Sequence, residues 1–179
     1  AGGGRGGARV RGVVVVGGRG RGRKLQRWAA ASDTWRATRL GFSAKGDRLA
    51  SGCKGKVVRL WDVNTRAEVA VLRGHLDEVN DIAFSPDGSI IAVGGEDNSV
   101  MIFDPASGEV ITRLENHLYP ISAVTWSADG KWLASGDWSG LVRLWDTSNW
   151  SESHVYTPAG SVVDYVQSDS NAMPVTVGT

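Results

Sequence analysis

Residues 74–104 read GHLDEVNDIAFSPDGSIIAVGGEDNSVMIFD, and residues 116–146 read NHLYPISAVTWSADGKWLASGDWSGLVRLWD. His75 and His117, Phe84-Ser85 and Trp126-Ser127, Gly88 and Gly130, and Phe103-Asp104 and Trp145-Asp146 each stand 42 residues apart. Moving toward the N-terminus, Phe42-Ser43, Gly46 and Trp61-Asp62 keep the same spacing with no insertion. Several markers in one register over three units define an internal repeat, which settles the architecture before any local propensity does.

Inside each unit the runs are short, apolar and bounded by turn residues, the signature of strands. First strands fall at Val79–Phe84 and Ile121–Trp126 and run into Ser85-Pro86-Asp87-Gly88 and Ser127-Ala128-Asp129-Gly130. Second strands are expected at 49–51, 90–93 and 132–135, third strands at 57–61, Val100–Phe103 and 142–145, and fourth strands at 68–72 and Val110–Leu114. Four antiparallel strands per unit make an all-β repeat, and a unit this small buries its faces only by stacking on neighbours.

Composition bounds the rest. The chain has 179 residues, 41% hydrophobic and 22% charged, which describes a globular domain. Its longest aliphatic run, Val13 to Val16, is far short of the roughly 20 residues of a membrane helix. One cysteine, Cys53, forms no internal disulfide, and with three scattered histidines it builds no Cys/His metal site. The net charge of +1 hides an asymmetry, because eight of the 20 Lys/Arg residues lie in residues 1–35 beside a single acid, Asp33. Residues 1–25 are rich in glycine and Arg-Gly dipeptides and are expected to be a disordered tail. Such an arm binds RNA through phosphate contacts and guanidinium stacking, or serves only as a linker.

Gly74-His75, the Ser-Pro-Asp-Gly turn, Trp61-Asp62 and Trp145-Asp146 resemble the WD-repeat family of β-propellers. The resemblance covers 36–150 and implies β-propeller blades of four antiparallel strands, about three full blades plus partial ones. Residues 26–179 would form the propeller segment, with units at about 33–74, 75–116 and 117–158 and a partial unit at 159–179. In that last stretch, Val162-Val163-Asp164-Tyr165 is similar to Val79-Asn80-Asp81-Ile82, and Val175–Gly178 to 92–95. Trp28 falls near a fourth-strand position of a preceding unit.

A Ser-His-Asp arrangement is suggested by His75, Asp97, Ser51 and Ser135. The resemblance implies a different role: a buried network joining a His before the first strand, a hydroxyl in the second, an Asp in the next turn and a third-strand Trp. On that pattern the network residues are His75 and Asp97, then His117, Ser135 and Trp145, and Ser51 and Trp61. No unit is expected to be complete. Val93 and Phe103 replace the hydroxyl and indole of the middle unit, and Ser139 stands in the acid position of the third. The first unit has Gly55 and Asp33 in the acid and His positions. No phosphate loop, nucleophile elbow or distinctive carboxylate pair is present in the sequence, so no catalytic residue and no cofactor are expected. Cys53 beside Lys54 reads as a small packing residue or a thiol of lowered pKa.

The resemblance further implies a non-catalytic scaffold for protein–protein contacts, working through the loops before the first strand and between the second and third. The partner-binding candidates there are Tyr119, Trp138, Asp77, Glu78, Glu96 and Lys54. Tyr119 and Trp138 alternatively pack on neighbouring blades. A second reading is an RNA-associated propeller protein, using residues 1–27 as the arm. A third, the substrate receptor of a ubiquitin ligase, is weakened because Asn64, Ala106 and Ser148 stand where a Trp-Asp-x-Arg motif needs arginine. The single cysteine favours the cytoplasm or nucleus. Propellers need about four to eight blades. Two open blade faces of about 400 Å² would each cost on the order of 10 kcal/mol, so either the protein is longer or chains self-associate to close the ring.

Overall fold

The computed structural model describes residues 37–53 and 56–157, together with four short flanking strands. Those strands are β1 (Val13–Val16) and β2 (Gln26–Ala29) on one side, and β15 (Tyr165–Ser168) and β16 (Val175–Gly178) on the other. Between them lie three four-stranded antiparallel sheets, each a meander in chain order. Blade 1 comprises β3 (Ala37–Phe42), β4 (Arg48–Cys53), β5 (Val57–Asp62) and β6 (Glu68–Arg73). Blade 2 comprises β7 (Val79–Phe84), β8 (Ile91–Gly95), β9 (Val100–Phe103) and β10 (Val110–Leu114). Blade 3 comprises β11 (Ile121–Trp126), β12 (Trp132–Asp137), β13 (Val142–Asp146) and β14 (Ser151–Tyr156).

The repeated markers have local causes. Gly46, Gly88 and Gly130 adopt φ of 70°, 77° and 73°, and each donates its amide to the serine three residues before it. That left-handed geometry is the reason glycine recurs there. The aspartate of each aromatic-Asp pair turns the chain between third and fourth strands. Asp62 accepts the amides of Asn64 and Thr65, Asp104 that of Ala106, and Asp146 that of Ser148.

The core sits between blades, because a pleated strand sends alternate side chains to opposite faces. From blade 2, Ile91, Val93, Met101 and Phe103 pack on Val58, Leu60 and Leu72 of blade 1. Their sequence neighbours Ala92, Val100 and Ile102 pack on Ile121, Val124 and Trp126 of blade 3. Glycines in the second strands let the next blade approach. A Cβ on Gly94 would lie 2.5 Å from Ile121 Cγ2, and one on Gly52 3.0 Å from both Val79 and Ile82. Polar bridges tie the same seam: Asn80 donates to Ile121 O (3.1 Å), Val124 N to Asp81 (2.9 Å) and Trp126 Nε1 to Ala83 O (3.1 Å). Burial pushes the Asp81 carboxyl above its usual range against the pull of the Val124 amide.

Each blade repeats one relation to the last. Strand β7 lies beside β3 and β4, β11 beside β7 and β8, and β15 beside β11 and β12. The β15–β16 hairpin therefore holds the first and second places of a fourth blade. Its first strand begins at Tyr165, and Val162-Val163-Asp164 lie outside the described residues. The expectation of a wholly disordered tail through residue 25 is corrected at one place. Val13–Val16 form a strand paired with Gln26–Ala29, because four consecutive β-branched residues find a partner edge. The rest of that tail, the Arg-Gly dipeptides included, lies outside the described residues, as do Asp33, Lys54, Gly55 and the Cys53 side chain.

Candidate functional site

Two of the three described histidines, His75 and His117, precede a first strand and point into their own blade, while His154 is exposed on β14. In blade 3, His117 Nδ1 lies 2.7 Å from Asp137 and Nε2 2.7 Å from Ser135 Oγ, while Trp145 Nε1 donates to the same Oγ at 2.8 Å. With the indole donating, the serine hydroxyl is free to donate to Nε2. The ring then donates from Nδ1 to the carboxylate, and every polar atom is satisfied with a neutral imidazole. Burial lowers the His117 pKa, and the hydrogen bond to Asp137 offsets this only in part. Burial raises Asp137, but Ser139 and His117 outweigh it and hold the carboxyl below its ordinary value.

Blade 3 thus carries the full four-membered network, which corrects the expectation that no unit does. The acid is Asp137, not Ser139. Ser139 instead donates its amide (2.9 Å) and hydroxyl (2.5 Å) to Asp137. Asp137 ends β12 two residues ahead of the position that the period assigns, and its side chain reaches the same point in space.

In blade 2, Asp97 meets His75 Nδ1 at 3.0 and 3.1 Å and also accepts the Leu76 amide (2.7 Å) and the Ser99 hydroxyl (2.8 Å). Burial alone would raise Asp97; the bonds from His75 and the Leu76 amide hold it well below the carboxylate range. Nε2 of His75 faces the Val93 carbonyl at 3.1 Å, since β8 offers no hydroxyl there. In blade 1, Trp61 Nε1 donates to Ser51 Oγ at 2.9 Å, and that hydroxyl turns to the Arg59 carbonyl.

Ser135, His117 and Asp137 have the distances of a nucleophile, base and orienting acid. Yet Ser135 is 0% exposed, and its oxygen is held by both Trp145 and His117. It is not presented to a substrate, so the arrangement stiffens the blade. Among the described residues, no group of three or more His, Cys, Asp or Glu is placed to hold a metal ion, and no helix is long and apolar enough to cross a membrane.

The contact candidates lie at one end of the blades, where the loop before each first strand meets the turn between the second and third. Glu96 N donates to Glu78 O (2.8 Å) in blade 2, and Trp138 N to Pro120 O (3.1 Å) in blade 3. Asn98 Nδ2 then donates to Leu118 O at 3.2 Å and joins the blade 2 turn to the blade 3 loop. Leu118 is 81% exposed, Tyr119 53% and Trp138 49%. Leu76, the counterpart of Leu118, is 65% exposed. Asp77 is exposed, Glu78 and Glu96 are half-buried, and Lys54 lies outside the described residues. Sequence reasoning did not single out Leu76 and Leu118, although their recurrence behind each histidine was the available signal.

A scan against models of known families matches the WD domain, G-beta repeat, at residues 24–62, 66–104 and 108–146, together more than half of the chain. Each match opens before the outermost strand of one sheet and closes on the aspartate that ends or directly follows the next sheet's third strand. A search of curated proteins finds no match.

Proposed function

The chain belongs to the WD domain, G-beta repeat family, and from that premise we propose that it is a non-catalytic scaffold that captures a basic, partly apolar segment of another protein. WD domains generally mediate contacts between proteins, and the finer assignment is ours. The observation that supports it is the exposed group Leu118, Tyr119 and Trp138 beside Asp77, Glu78 and Glu96, on turns pinned by backbone hydrogen bonds. A rigid aromatic pair offers contact area at small ordering cost, and the acids favour a positively charged neighbour. One cysteine in 179 residues supports a setting in the cytoplasm or nucleus.

The test is fluorescence anisotropy with an array of labelled peptides that pair Lys/Arg with Leu, Ile or Phe, against acidic peptides of equal length. Basic apolar peptides should bind, more weakly as salt rises, and Trp138→Ala should weaken binding at least tenfold with an unchanged melting temperature. Equal binding of both peptide classes, or unaltered binding by the variant, overturns the proposal.

A further inference from the structure

At the contact end, blades 2 and 3 repeat one backbone and change its chemistry. Asp77 and Glu96 of blade 2 stand one repeat of 42 residues before Tyr119 and Trp138 of blade 3. Both pairs are held by the same bond. Glu96 N donates to Glu78 O (2.8 Å) and, one repeat on, Trp138 N donates to Pro120 O (3.1 Å). The leucine that opens each loop does not change: Leu76 and Leu118 are both exposed. Two matched places therefore carry two carboxylates in one blade and two aromatic rings in the next.

The step between the pairs is fixed. Asn98, at a φ of 62°, donates its side-chain amide to Leu118 O (3.2 Å) and clamps the blade 2 turn to the blade 3 loop. Asp97 of the same turn accepts the Leu76 amide (2.7 Å), which ties in the blade 2 loop as well. Packed sheets lie about 10 Å apart, and an extended chain advances about 3.3 Å per residue, so about three residues span one blade step. Carboxylates favour Lys or Arg, and exposed rings favour apolar side chains. An apolar side chain laid on the carboxylates would strip their water without replacing it. The order of residues in a partner should therefore matter as well as its composition.

We propose that this face reads a two-part extended segment of another protein, with a basic pair over Asp77 and Glu96 and an apolar pair over Tyr119 and Trp138, the pair centres about three residues apart. This rests on the peptide-capture reading above and adds the register.

Nine-residue labelled peptides of one composition test it by fluorescence anisotropy with the full chain. Each carries Lys, Arg, Leu and Phe in a serine background. The block forms contain Lys-Arg-Ser-Leu-Phe or Leu-Phe-Ser-Lys-Arg, and the mixed form contains Lys-Leu-Ser-Arg-Phe. The better block form should bind at least about fivefold more tightly than the mixed form. Asp77→Asn with Glu96→Gln keeps an oxygen for the Glu78 amide at residue 77. That variant should weaken the block peptide about fivefold with an unchanged melting temperature. It should leave a block peptide with Gln in place of Lys and Arg unaffected. Equal binding of block and mixed forms, or equal weakening of the basic and Gln peptides by the variant, overturns the register and leaves capture of basic apolar peptides standing. Failure of every basic apolar peptide to bind overturns both.

Discussion

Blades 2 and 3 each hold a histidine against an aspartate through Nδ1 and differ in what faces the far ring nitrogen. Blade 3 uses Ser135 and relays onward to Trp145; blade 2 has Val93 and Phe103 and uses the Val93 carbonyl. The surroundings change together. Blade 3 pairs Arg143 of its third strand with Glu152 of its fourth, as blade 1 pairs Arg59 with Glu68. Blade 2 has Met101 and Val110 in those places and carries Arg113 on its fourth strand, 3.6 Å from Asp97. The difference teaches that the far nitrogen plays two parts: in blade 3 it accepts from the Ser135 hydroxyl, whereas the Val93 carbonyl of blade 2 only accepts, so a hydrogen bond there needs the hydrogen on Nε2.

Four experiments break or sharpen this comparison. The largest effect is expected from His117→Ala. It takes the ring's bond from Asp137, leaves the Ser135 hydroxyl without its acceptor in a closed interior and opens a cavity, and should cost about 2–4 kcal/mol by urea denaturation. His75→Ala should cost roughly half as much, since both aspartates keep other donors but no side-chain hydroxyl loses its acceptor in blade 2. Equal losses would dissolve the distinction. Next, Ser135→Val gives blade 3 the side chain of blade 2 but orphans the indole, and about 2–3 kcal/mol should be lost. Adding Trp145→Phe should restore part of it, and an additive double variant would mean that the two solutions are not interchangeable.

Third is the response to acid. In the fold, His117 titrates below its ordinary value, so as pH falls the unfolded chain takes up the proton first. Its contribution is complete above about pH 6.5 and declines below it; Asp137, held low, loses its own only below about pH 4. Melting temperature should therefore fall between pH 7.5 and 5, and His117→Gln should flatten that slope. The smallest effect is expected from Ser139→Ala, about 1 kcal/mol, against a far larger loss for Asp137→Ala. The reverse order would return the acid position to residue 139.

Much of this was legible in the chain. The period located the blades, and the first strands Val79–Phe84 and Ile121–Trp126 begin and end where their apolar runs do. The outer strand Ser151–Tyr156 was not foreseen, because SESHVY lacks the apolar pattern by which a strand is recognised; β13 recruits it through backbone pairing. At the proposed contact face, Tyr119 and Trp138 are candidates by residue type, and the structure adds that both are exposed. The acid of blade 3 was missed because counting along the chain treats position 139 as fixed, whereas a hydrogen bond is made by whichever carboxylate arrives within reach.

By itself the sequence determined what depends on near neighbours: the repeat, the left-handed glycines at 46, 88 and 130, and the aspartates that close the turns. Backbone conformation and short-range hydrogen bonds have the same cause in every unit, so they recur with the period. Only the tertiary structure decided that Asp137 serves His117 and that the Val93 carbonyl stands where blade 3 has a hydroxyl. Burial and long-range hydrogen bonding belong to the space between blades. Identical positions along the chain therefore meet different neighbours across it.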